Sequence, residues 1–232
     1  MNIALILSGG VGSRMGINLP KQYVIVNNQP VLNYCLSTFH DNEMIDAIVV
    51  VVADEWIEFV KEQLIKLNIQ KPVYFAKPGV TRQYSIYNGL IEIRNNGFAN
   101  NDIVIIHDGA RPLVSHDLIR RCLEGCKEAD AVMPVIPVKD TTYYSVDGKH
   151  IQSLLNRSHL WAGQAPEAFI FGKYIDLHDN MESYELLKIT GSTELAYKVG
   201  LNCQMVEGDP MNFKITTPED LLNFESLLNK NE

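Results

Sequence analysis

The 232-residue chain carries 46% hydrophobic and 21% charged residues and a formal net charge of −8. That balance belongs to a globular protein long enough to bury a substantial core, with one domain as the expectation for its length. It excludes a general nucleic-acid binder, which needs an excess of basic surface, and no apolar run reaches the roughly 20 residues that span a membrane.

The chain opens MNIALILSGG, an apolar run too short for a secretory h-region and without its basic flank, so it reads as a strand of a cytoplasmic protein. Residues 3–7, 45–52, 73–75, 103–106 and 131–135 are short, near-continuous apolar runs of the kind buried in parallel sheets. Helical patterns at 30–40, 54–67, 82–95 and 116–128 separate them, which predicts a βαβ series: a mostly parallel sheet with helices on both faces. The regularity breaks after Pro137. Residues 138–164 flank an Asp147-Gly148 hairpin signal with β-branched and aromatic residues, predicting a projecting β-arm within a single domain of residues 1–232. Helices are expected at 173–187 and 193–199, strands near 203–207 and 212–216, and a last helix opening at Pro218 with Thr217 as its cap. Cys35, Cys122, Cys126 and Cys203 form no CxxC pair and read as free buried thiols.

Ligands of open parallel sheets bind where loops leave the carboxyl ends of the strands. Four segments meet that rule: Ser8 to Lys21, Pro78 to Ser85, His107 to Pro112 and Lys139 to Thr141. The first, SGGVGSRMGINLPK, is neither a Walker loop nor a dinucleotide fingerprint, because no Gly-Lys-Ser/Thr closes it and Met15 stands at the third glycine position. Its glycines let backbone N–H groups face an anion while Arg14 and Lys21 add full charges, an arrangement suited to a triphosphate or, more plainly, to a turn with two solvated cations. Asp108, directly after an apolar strand, is either a hard oxygen ligand for Mg²⁺ against phosphate oxygens or a turn cap. His107 reads as scaffold, Arg111 as an anion contact or an ion pair, and Arg157 and Lys214, on the residues alone, as surface cations.

Taken together and in order, LILSGGVGSRMGINLPKQY, GVTRQYSIYNGL, IHDGARP, PVKDT, NRSHLW and NFKITTPED resemble the cytidylyltransferases that make CDP-activated polyols. Two branches are relevant, acting on ribitol 5-phosphate or on methylerythritol phosphate. The resemblance covers essentially the whole chain and implies a three-layer, Rossmann-like fold of the nucleotide-diphospho-sugar transferase type. It also implies a CTP site made by Leu7, Ser8, Gly9, Gly10, Gly12, Ser13, Gly79, Arg82 and Ser85, with Arg14 and Lys21 on the phosphates. Asp108 would lie by the Mg²⁺ and the acceptor. Arg111, Thr141, Arg157, Thr190 and Lys214 would meet the polyol phosphate, and the arm would exchange across a homodimer so that Arg157 reaches the partner's site. Arg14, Lys21, Asp108 and Lys214 are the catalytic set on this reading.

Two departures bear on the acceptor. Gln164-Ala165-Pro166-Glu167 replaces the family's Gln-Thr-Pro-Gln, and Thr190-Gly191-Ser192-Thr193 replaces the Thr-Asp-Glu-Ala of the methylerythritol branch, with Thr193-Glu194 able to shift into register. They favour ribitol 5-phosphate or a similar cell-wall or capsule precursor over the isoprenoid acceptor. A non-catalytic nucleotide-binding protein is the rival of another class, opposed by the joint presence of Arg14, Lys21, Asp108, Arg157 and Lys214.

Overall fold

The structure, a computed structural model, describes residues 1–10 and 19–229. Its centre is an eight-stranded sheet. The strands are β1 (Asn2–Leu7), β4 (Ala47–Val51), β5 (Val73–Ala76), β6 (Ile103–Asp108), β7 (Ala131–Pro137), β10 (Trp161–Gly163), β11 (Glu167–Ile170) and β12 (Cys203–Glu207). β1 lies between β4 and β6, and β5 follows β4, all parallel. β11 inserts antiparallel between β6 and β7, β10 continues antiparallel along the same edge of β7, and β12 pairs parallel with the other edge. Outside this sheet, β2 (Ile25–Val26) pairs with β3 (Gln29–Pro30), and β8 (Thr142–Tyr144) pairs with β9 (Ser153–Leu155).

The period-2 alternation of the buried strands sends side chains to two cores. Ala4, Ile6, Ile48, Val50 and Ile105 face one side, where they meet α1 (Val31–Asp41), α2 (Ile57–Lys66) and α4 (His116–Gly125). Ile3, Leu5, Val49, Val104, Ile106 and Phe169 face the other, against α3 (Arg82–Asn95), α5 (Phe171–Asn180) and α7 (Ser192–Lys198). This is the expected three-layer arrangement. A smaller cluster joins Val26, Val31 and Ile215 to Phe224 of α8 (Pro218–Asn229). Among the described residues no helix is long and apolar enough to cross a membrane.

Several local expectations change. The strand expected near 212–216 does not form: Ile215 N–H reaches the Ala110 carbonyl, but the segment stays irregular because the buried Asn212 side chain turns to the Ala165 carbonyl instead. The helix expected over 173–187 divides into α5 and α6 (Ser183–Leu186), since Met181 and Glu182 are extended. Residues 54–56 form a 3₁₀ turn before α2. β11 was not expected at all, being a four-residue run directly after Pro166. Thr217 does cap α8, its Oγ1 accepting from Asp220 N–H at 3.2 Å while Asp220 Oδ2 accepts from Thr217 N–H at 2.9 Å, a reciprocal cap. In the arm, the β8–β9 ladder closes around Asp147, whose Oδ1 accepts from the Lys149 and His150 N–H groups. Trp161–Gly163 already belongs to the main sheet. All four cysteines are free, three of them buried.

Phe169 locks β11 into the sheet: it is fully buried and stacks on Tyr174 of α5 with ring centroids 3.9 Å apart. Phe169→Ala is expected to cost about 3–5 kcal/mol, read as a lowered denaturant midpoint with an unchanged slope.

Candidate active site

Parallel register brings four strand ends into one row. Leu7 is opposite both Val51 and Asp108, and Val51 is opposite Ala76, so the loops that follow β1, β4, β5 and β6 leave from one edge. The start of the first loop is held from below by the 3₁₀ turn Lys21–Tyr23. Gln22 Nε2 donates to the carbonyls of Ser8 (2.7 Å) and Gly10 (2.8 Å), and Tyr23 OH donates to the Ser8 carbonyl at 3.0 Å. Ser8 is buried and its N–H bonds the Val51 carbonyl.

Gly9 is required by the neighbouring loop. A Cβ there would lie 2.5 Å from Pro78 Cβ. Gly79 is similarly crowded, since a Cβ would stand 2.3 Å from Tyr84 Cβ, and its N–H donates to Ser85 Oγ at 3.0 Å. Gly9 thus lets the β1 loop pack against Pro78 of the β5 loop, and Gly79 lets that loop turn closely onto the start of α3. Gly12, Ser13 and Arg14 lie outside the described residues.

Asp108 is the electrostatic centre. It is 7% exposed. Oδ1 accepts from Arg82 Nε at 3.2 Å, while Oδ2 accepts from Lys214 Nζ at 3.0 Å and faces Arg111 Nε at 3.5 Å. Burial alone would raise its pKa, but Arg82, Lys214 and Arg111 outweigh it and hold the carboxyl well below the usual range. Arg82 shows the converse balance: burial opposes its charge, and Asp108 and then Glu167 more than restore it. Arg111 is steered by Nη1 donating to the Asn212 carbonyl at 2.7 Å, and that irregular segment delivers Lys214.

The expected site residues thus fall into three groups. Asp108, Arg82, Arg111 and Lys214 converge, and Leu7, Ser8, Gly9, Gly10, Gly79 and Ser85 lie in and around the adjoining β1 and β5 loops, beside which Lys21 begins its turn. Thr141 and Arg157 lie apart on the exposed arm, where Arg157 Nη1 donates to the Lys139 carbonyl at 2.7 Å. Thr190 is also turned aside, its N–H and hydroxyl both bonded to Glu194 Oε2. Glu194 is therefore a helix cap, answering whether it moves into register as an active-site acid.

Sequence reasoning missed Gln22, Glu167 and Ser192. Glu167 heads β11 and is opposite Ile106. An antiparallel strand begins at the edge where its parallel neighbours end, and alternation puts Glu167 on the same face as Ile106 and Asp108. The only signal was its place in the altered Gln-Ala-Pro-Glu segment.

The family model described as "IspD: 2-C-methyl-D-erythritol 4-phosphate cytidylyltransferase" matches residues 2–230. The chain belongs to the IspD family. One relative, the ribitol-5-phosphate cytidylyltransferase of Vibrio parahaemolyticus, is 35% identical over an alignment covering all of this chain and 98% of its own length. Another, the 2-C-methyl-D-erythritol 4-phosphate cytidylyltransferase of Clostridium botulinum, is 36% identical over 98% of this chain and 99% of its own. Among solved structures, the IspD of Francisella tularensis superposes with a TM-score of 0.79 at 30% identity, covering 97% of this chain and 99% of that one. The IspD family relationship thus agrees with the fold and with the motif order.

Two buried histidines of this IspD chain behave as neutral scaffold. His107 Nε2 donates to the Arg111 carbonyl at 3.0 Å, and His178 Nε2 accepts from Gln83 Nε2 at 2.8 Å; burial pushes each down to about 4. The unfolded chain takes up these protons near the ordinary histidine value of about 6.5, the folded chain only near 4. Stability is therefore fully present above about pH 6.5 and declines as pH falls towards 4, by at most about 3 kcal/mol per histidine. Urea unfolding between pH 7.5 and 4.5 is expected to show that slope, and His178→Gln to reduce it.

Proposed function

We propose that this protein transfers CMP from CTP to a polyol phosphate, with ribitol 5-phosphate or a closely similar capsule or teichoic-acid precursor as acceptor, giving a CDP-polyol and pyrophosphate. The observation that carries the reading is the ring of Arg82, Arg111 and Lys214 around buried Asp108 at the edge where the β1 loop packs against the β5 loop through Gly9 and Pro78.

An acceptor phosphate has a second pKa of about 6 and is mostly dianionic near neutrality, so its oxygen attacks without a general base. One P–O bond forms at the α-phosphorus as the bond to pyrophosphate breaks. Catalysis then consists of aligning the two phosphates and neutralising the charge that develops, a task for cations and backbone N–H groups. Lys214, held by Asp108, is poised for the acceptor; Ser8, Gly9 and Gly10 present backbone to the nucleotide, joined by Arg14 and Lys21. Asp108 keeps its cations oriented when no anion is bound.

The residues fit Mg²⁺ in one way. Among the described residues no group of three His, Cys, Asp or Glu side chains could hold an ion, and Asp108 is already ringed by three cations. They accord with an ion carried in by the triphosphate and touched by one Asp108 oxygen, as this metal usually prefers; when bound it would neutralise phosphate charge.

Identity to the Vibrio and Clostridium relatives, 35% and 36%, does not separate the two acceptors. Ribitol 5-phosphate is preferred because Gly191-Ser192 replaces two carboxylates of the methylerythritol pattern, beside an Ala165 that lacks the hydroxyl common in the family, and lost polar partners reshape acceptor choice strongly. Pyrophosphate release from CTP with ribitol, methylerythritol, glycerol and arabinitol phosphates tests this. Ribitol 5-phosphate is expected to give the highest kcat/KM; methylerythritol phosphate in that place would move the protein to the isoprenoid branch, and no release from folded protein with any acceptor would defeat the reading.

The arm supports a homodimer in which Arg157 serves the partner's site. Val146, Ile151 and Leu154 are each more than 60% exposed there, and an apolar groove of about 550 Å³ between Ile136, Trp161 and Met205 runs from the arm's root. Apolar surface of that kind calls for a cover. Sedimentation at micromolar concentration is expected to give a dimer, and Ile151→Asp a monomer.

A further inference from the structure

A chain of buried charges runs behind Asp108. Glu167 is 6% exposed. Its Oε1 accepts from Ser192 Oγ at 2.7 Å and faces Arg82 Nη2 at 3.5 Å; its Oε2 accepts from the Thr193 N–H at 2.9 Å and hydroxyl at 2.6 Å. Arg82 spends its other nitrogens on Ser192 Oγ, 2.6 Å from Nη1, and on Asp108 Oδ1, 3.2 Å from Nε. Every nitrogen of the guanidinium therefore ends on a protein group, drawn from β6, β11 and α7.

We propose that Glu167 is a positioning residue for the Asp108 site, acting through Arg82. This rests on the cytidylyl-transfer reading. A planar guanidinium with three fixed points cannot rotate; with the Glu167 point removed it pivots on the remaining two, and Asp108 loses its alignment with Lys214 and Arg111. Capping of α7 accounts for only part of the residue's contacts: Glu167 takes the Thr193 N–H while Glu194 takes those of Thr190 and Gly191, and neither role calls for the contact to Arg82. Packing does not account for it either, since four donors converge on the two oxygens, which suits a carboxylate and no apolar or amide side chain. The arrangement also fixes the number of carboxylates: with Asp108 and Glu167 in place, a third at position 192 would lie against Glu167.

The test is a charge relocation. Glu167→Gln is expected to lower kcat by at least about 10-fold and to raise the acceptor KM, with the KM for CTP changed by less than about three-fold, because Arg82 is committed to protein groups. Ser192→Asp alone is expected to be at least as impaired. The double variant, which returns one carboxylate within reach of Arg82 Nη1, is expected to recover at least about five-fold over Glu167→Gln. A single variant within two-fold of wild type in kcat and acceptor KM, or a double variant no better than Glu167→Gln, overturns the proposal. Should Glu167→Gln not fold, the double variant is compared directly with Ser192→Asp, and failure to exceed it has the same consequence. Crystal structures of the variants stand apart from turnover: Arg82 Nε is expected to leave Asp108 when Glu167 is neutralised and to return in the double variant. Arg82 unmoved overturns the positioning role, whereas a wild-type enzyme silent towards every acceptor counts against the functional reading alone.

Discussion

A carboxylate removed from water must be repaid in charge or it takes up a proton, and Asp108 sits under that constraint. Its repayment comes from three separate stretches of chain: Arg82 at the start of α3, Arg111 in the loop after β6, and Lys214 on the irregular segment before α8. Each stretch is built so that its cation can arrive. Thr81 caps α3 and sets the direction of its first residue, Arg111 is anchored by the Asn212 carbonyl, and Asn212 is itself fixed to the Ala165 carbonyl. The surroundings of one acid thus tie together elements more than a hundred residues apart.

The same constraint gives the site its sign. Among the groups in contact, three cations meet two carboxylates, Asp108 and Glu167, so the cluster retains positive charge inside a protein whose formal net charge is −8. That local excess of positive charge favours an anionic ligand at this edge of the sheet. The contact between the β1 and β5 loops at Gly9 and Pro78 lies on that same edge.

β11 is the element that adapts this frame. By running antiparallel between β6 and β7 it begins at the functional edge and carries Glu167 there, while Phe169, two residues on, is buried in the core. One short strand therefore joins the packing of the second core to the orientation of Arg82.

The sequence by itself determined the βαβ series, the two-faced, mostly parallel sheet, the cap at Thr217, and the loops that carry Asp108 and the glycines. These are local properties: apolar period, capping chemistry and turn residues act over a few positions. It also supplied the family, because six ordered motifs persist along the chain. Only the tertiary structure decided that Arg82 serves Asp108, that Glu194 caps its helix, that residues 212–216 bridge instead of forming a strand, and that β11 exists and brings Glu167 to the site. Those outcomes depend on non-local pairing. A four-residue run such as Glu167–Ile170 carries no decisive period of its own, and a lone lysine such as Lys214 reads as solvated surface until a buried carboxylate a hundred residues earlier takes hold of it.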